Sequence, residues 1–234
     1  MNTHQMKRLV VAALVLALTA MSAAAQEIPR IPEDALKSAQ EAFRMALATT
    51  QKTGTFEAMG LRSDAESRQA VLGAPIVLQE VGYDKLVAYQ PGNPPQGVFT
   101  GPDQLLFPVM VGNKARSLIT MVKSGAEWRM ASYGDPDRAR AIEAAQAGLQ
   151  KEKAFGPSAA TSFSVVSVPA FQFDLVAAAL GSKTYLSALS PAAAAEFGLP
   201  PIAELPEVVN KLSLYAKDFD AKYGEQIRQR KLAK

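Results

Sequence analysis

The stretch LLFPVMVGNKARSLITMVKSGAEWRMASY, residues 105–133, holds three runs rich in branched and aromatic side chains, at 105–111, 115–122 and 127–133. Gly112 with Asn113, and Ser124 with Gly125, sit between the runs, where tight hairpin connections belong. Three strands joined by two tight turns make an antiparallel meander. Its middle strand places Leu118 and Val122 on one face and Ile119 and Met121 on the other, so both faces need cover. Pro108 has no N–H to give a ladder and calls for an edge or a bulge on its own strand. In the third run Trp128 and Met130 share one face, and Glu127, Arg129 and Tyr133 take the other.

Upstream of the meander, residues 76–81 read as a further strand, and 83–89 fit either a strand or a helical turn. Leu36, Ala39, Phe43, Met45 and Leu47 keep a mostly helical spacing after Pro32, with Glu33 and Asp34 in the first turn, which predicts a helix over about 33–50. Ser63 and Glu66 have capping-box spacing, and Gly73 can close a short helix over about 64–72 in a left-handed conformation.

Downstream, Asp135 followed by Pro136 is an N-cap with proline at the first helical position, and Ile142, Ala145 and Leu149 mark the buried stripe of a helix over about 136–153. A second β segment spans 162–189, in runs 162–168, 171–179 and 184–189; Phe171, Phe173, Leu175 and Ala177 share one face of the middle run, Gln172 and Asp174 the other. Ser190, Pro191 and Gly198 bracket a short alanine-rich helix. Leu205, Val208, Val209, Leu212, Tyr215, Phe219 and Tyr223 recur at three- and four-residue steps in a last helix that Gly224 is expected to stop. Helices at the beginning, middle and end around two β segments imply an α+β fold with a mostly antiparallel sheet covered by helices. Residues 26–234 are expected to form a single domain, with two small α+β halves meeting near 134–160 as the alternative.

The first 25 residues have the build of a cleaved secretory signal peptide. Lys7 and Arg8 precede an apolar run from Leu9 to Met21, and Ala23 and Ala25 supply the small-residue pattern for a cut before Gln26. Thirteen residues rise about 20 Å as a helix, short of the roughly 30 Å hydrocarbon core. This predicts export to the periplasm or the medium of a bacterium, with membrane contact only during export. The leader holds two of the 25 basic residues and none of the 22 acidic ones, so its removal lowers the net charge from +3 to +1. A near-neutral body argues against nucleic acid as partner. Arg228, Arg230, Lys231 and Lys234 concentrate positive charge at the end of the chain and read as a solvated tail.

With no cysteine, and with the sole histidine, His4, inside the leader, the processed chain lacks imidazole and thiol. That removes Ser-His-Asp and Cys-His catalysis and the usual nitrogen and sulfur zinc sites. No S-x-x-K, G-x-S-x-G or Gly-rich phosphate loop occurs. Asp135 and Asp137 form a D-x-D, but Arg138 and Arg140 oppose a cation there and the helix start accounts for both acids. No catalytic, cofactor-binding or metal-ligating residue is assigned, and no cofactor is expected.

Residues 90–103 hold four prolines and three glycines in fourteen positions. Long loops of this kind often serve in recognition. The candidate binding surface comprises Pro91, Asn93, Pro94, Pro95, Phe99 and Asp103, with Trp128 read as core or as a ligand-stacking ring. The expected function is that of an exported, non-enzymatic binding or protein-interaction protein of the bacterial envelope, whose partner is another envelope or extracellular protein or a small ligand. Two alternatives stand beside it. One is a carboxylate-dependent hydrolase of cell-wall or extracellular polysaccharide, with Glu80, Asp84, Asp103, Asp135 and Asp137 as its acids. The other is an inhibitor or assembly factor for another exported protein.

Overall fold

Branched and aromatic residues at alternate positions bring nine strands into one sheet. The computed structural model describes residues 31–152 and 162–232, with side chains as far as residue 225 apart from that of residue 102. The signal peptide expected over residues 1–25, with its cleavage site before Gln26, lies outside the described residues. Helix α1 (Glu33–Thr53) is followed by a 3₁₀ turn at Phe56–Met59, α2 (Asp64–Gln69), β1 (Val71–Leu72), β2 (Ile76–Val81), α3 (Tyr83–Ala88) and a 3₁₀ turn at Pro95–Val98. The meander β3 (Phe99–Val111), β4 (Lys114–Ser124) and β5 (Glu127–Gly134) leads into α4 (Pro136–Lys151). Then come β6 (Phe163–Val168), β7 (Phe173–Leu180), β8 (Lys183–Ala188), α5 (Pro191–Glu196), β9 (Ile202–Glu204) and α6 (Leu205–Leu232). The fold is thus α+β, with helices at the N-terminal, central and C-terminal positions around a mostly antiparallel sheet.

The nine strands lie in the order β5-β4-β3-β2-β6-β7-β8-β9, with β1 paired to β3 off this path. Among the described residues only the central pair, β2 and β6, is parallel, with Leu78 beside Val165. An antiparallel meander runs outward on each side of that seam. Val77 and Val81, four apart on β2, face one side of the sheet. There Val77 joins the core under α1, with Phe107, Ile119 and Met121, and Val81 joins the core under α6, with Val166, Phe173 and Leu212. Leu78 faces the opposite side, where α4 packs Ala139, Ile142, Ala145 and Leu149 over Leu106, Val165 and Val176. Both faces of β4 are covered, as its two apolar stripes require.

Several local expectations are corrected. Helix α2 ends at Gln69, because Val71 and Leu72 pair with Val109 and Met110 of β3; Gly73 donates its N–H to the Pro108 carbonyl at 2.7 Å instead of closing a helix. Pro108 lies inside the sheet, yet its C=O, and hence the side on which its N–H is missing, faces the break between β1 and β2. The ladder therefore loses no bond to β4. Residues 83–88 are helical, and Phe171 lies in a 3₁₀ turn ahead of β7. Gly224 does not stop the last helix, which continues to Leu232. One glycine costs about 1 kcal/mol in a helix, too little to end one flanked by good helix formers. The basic residues 228, 230 and 231 lie within this helix, while Lys234 lies outside the described residues.

The entry to α4 carries backbone strain. Asp135 has φ 63°, left-handed for a residue with a side chain, and its Oδ1 accepts the Arg138 N–H at 3.0 Å. Arg138 also pairs with Asp174 of β7 at 2.8 Å, both about three-quarters buried, which ties the helix to the second meander. Asp135→Asn is expected to be nearly neutral, Asp135→Gly mildly destabilising and Asp135→Ala to cost about 2 kcal/mol, since alanine loses the cap and tolerates positive φ poorly. Urea unfolding midpoints of the three variants check the order. At the far edge Lys183 Nζ donates to Glu204 at 2.6 Å across β8 and β9, and this bond, with the Glu204 charge, holds the lysine above its ordinary pKa. Its contribution is present below the ordinary lysine pKa and is lost as pH rises through the raised one.

Candidate functional site

The proline-rich loop is an ordered surface between α3 and α6. Pro91, Asn93 and Pro94 are exposed and Pro95 is half-buried. The buried Tyr89 donates its hydroxyl to the Asn93 carbonyl at 3.1 Å, while Lys217 of α6 donates to the Tyr89 carbonyl at 2.5 Å. A shallow cleft of about 370 Å³ lies between the loop and α3, lined by Lys85, Tyr89, Asn93, Pro94 and Val98. Phe99 opens β3 opposite Val81 and packs against the α6 core. Asp103 is exposed in a bulge, where the β3 residues from Thr100 to Gln104 lie against only Leu78 to Glu80 of β2.

Trp128 does not join this loop. It sits opposite Lys123, 7% exposed, in the core under α1 with Met121 and Met130 packed in the same cluster. Its Nε1 is buried with no acceptor among the described residues. The ring therefore acts as core, not as a stacking platform. Native emission is expected well to the blue of the unfolded chain and little quenched by acrylamide; strong quenching in the folded protein would contradict the burial.

A surface missed in the sequence lies on α6. Leu205, Val208, Val209, Leu212 and Ala216 are buried, but Tyr215, Phe219 and Tyr223, expected on the same buried stripe, are 45%, 42% and 47% exposed. At 100° per residue Phe219 and Tyr223 fall within about 20° of the direction of Leu212. They lie on the core side of the helix, so rotation cannot explain their exposure. The first turns of α6 lie over β8 and β9, while farther along the helix the neighbour is α3, whose Tyr83 ring meets Phe219 edge-on at 6.3 Å. The Phe197 ring props Tyr215 at 5.0 Å, and the Tyr215 hydroxyl donates to the Glu196 carbonyl at 2.5 Å. Phe219 and Tyr223 touch at 5.0 Å, leaving an aromatic ridge with one side to solvent. Leu214, 66% exposed, points away from this ridge, on the far side of the helix. Helical periodicity shows the stripe but not where the layer beneath it stops.

The acids do not converge. Glu80 accepts from Gln104 at 2.6 Å, Asp135 caps α4, Asp137 pairs with Arg140, and Asp84 and Asp103 are exposed on separate elements. Among the described residues, neither the loop cleft nor a second cleft beneath α4 is lined by two carboxylates. Among the described residues no group of three or more acids is placed to hold a metal ion, and no helix is long and apolar enough to cross a membrane. No known protein family, curated protein or solved structure matches the chain, so the reading of this surface rests on its own geometry.

Proposed function

We propose that the chain is an exported interaction protein of the bacterial envelope that binds another protein through the aromatic side of α6, where it runs past the sheet, and the neighbouring loop 90–98. The observation that carries this reading is the aromatic ridge Tyr215, Phe219 and Tyr223, which continues a core stripe past the layer that covers it. Aromatic side chains with one buried and one open side suit interface anchors, because they add large contact area at little cost in rotamer entropy. The surrounding charges are mixed, with Asp218 and Lys222 paired at 2.6 Å, which favours a partner that offers an apolar groove with a polar rim over a polyanion. The leader sequence supports an extracytosolic setting for such a partner.

The test is co-purification from native envelope with the unaltered protein and with the double variant Phe219→Ser/Tyr223→Ser. Both side chains are too exposed for their loss to abolish folding, which circular dichroism checks. The double variant is expected to lose a stoichiometric partner by at least about tenfold, in line with the loss of two aromatic anchors. An unchanged partner profile overturns the reading.

A further inference from the structure

We propose that the cleft between α4 and the sheet, on the face opposite α6, is a binding site for a small amphiphile with an apolar body and an ammonium head. The cleft has a volume of about 430 Å³, within the range of roughly 300–1,000 Å³ typical of small-molecule sites. It exists because the elements that meet there bring small side chains. Gly73 and Ala74 come from the β1–β2 connection, Ala115 from β4 and Ala139 from α4, while Ile142 and Leu118 hold helix and sheet apart. Pro108, Met110 and Phe163 complete an apolar wall. An apolar space of this size open to solvent favours a ligand that removes its walls from water.

The rim sets the sign of the head group. Its polar side chains are Asn113 at the β3–β4 turn, and Glu143 and Gln146 one turn apart on α4. Among the described residues no lysine or arginine lines the cleft. Glu143 is exposed and makes no ion pair with a described residue, so its carboxylate is available to a cation at the mouth. An anionic head, such as that of a fatty acid, would meet this carboxylate without a compensating charge. The site is remote from the α6 ridge and does not depend on the proposed protein partner.

Calorimetric titration of the purified protein at neutral pH, with decylamine and with decanoate below their micellar concentrations, tests the proposal. Decylamine is expected to bind saturably and at least about fivefold more tightly than decanoate, the scale of one partly exposed ion pair. Glu143→Gln should remove the preference, and Ala115→Leu, which fills the cleft, should weaken both ligands. Should the Ala115 variant fail to fold, methyl chemical shifts of Leu118 and Ile142 in the unaltered protein report occupancy directly. The proposal is overturned by absence of saturable binding, by decanoate binding as tightly as decylamine, by a preference that survives Glu143→Gln, or by shifts confined to residues outside the cleft.

Discussion

Gly60→Ala is expected to destabilise the protein by roughly 3–5 kcal/mol, from left-handed strain and backbone overlap together. Gly60 has φ 64° at the end of the 3₁₀ turn that follows α1. A Cβ there would lie 2.1 Å from the Arg116 carbonyl oxygen and 2.9 Å from its carbon, both backbone atoms of β4. Neither can move without displacing a central strand of the meander, and the Arg116 side chain is itself held by Glu66 at 2.7 Å. Gly54, at φ 71°, where a Cβ would meet nothing within 4 Å, is the control. Gly54→Ala should cost only about 1–2 kcal/mol, the conformational part alone. Urea denaturation of the two variants measures the difference, and equal losses would show that the close approach to Arg116 contributes nothing.

Phe107→Ala is expected to cost about 3–5 kcal/mol. Phe107 is fully buried on β3, opposite Ile119, in the core that α1 closes. Removing the ring leaves a cavity between a sheet and a helix whose buried side is built from Ala35, Ala39, Ala42 and Ala46. Those side chains are too short to collapse into the space, so the loss should lie toward the upper end of the range. Leu214→Ala, at a position 66% exposed, should change stability by less than about 0.5 kcal/mol. A denaturation midpoint that falls with an unchanged slope identifies the effect as a loss of stability without a change in the surface exposed on unfolding.

Elements written in local chemistry were legible in the sequence. The meander follows from alternation and turn pairs, α4 from Asp135 and Pro136, and α2 from Ser63 and Glu66, whose N–H does reach the Ser63 hydroxyl at 3.3 Å. What depends on distant partners was not. The three residues of β9 carry no periodic signal and are strand because they meet β8, and β1 exists because β3 offers an open edge beside Pro108. The candidate surface shows the same division. The loop was visible by composition over 90–103, but its last five residues, Phe99 to Asp103, are the start of β3; the burial of Trp128 away from the loop depends on α1, and the exposure of Phe219 depends on where the sheet ends. The cleft beneath α4 was hidden for a related reason, since its small residues come from separate segments of the chain.

The parallel seam between β2 and β6 has a consequence for synthesis. A ribosome delivers β2 and the whole first meander before β6, so one border of β2 stays open while the rest of that half can already assemble. Such a border is a template for any extended chain nearby. If the polypeptide crosses a membrane unfolded, that vulnerable interval falls after translocation, which makes escort on the far side most useful before residues 163–168 arrive.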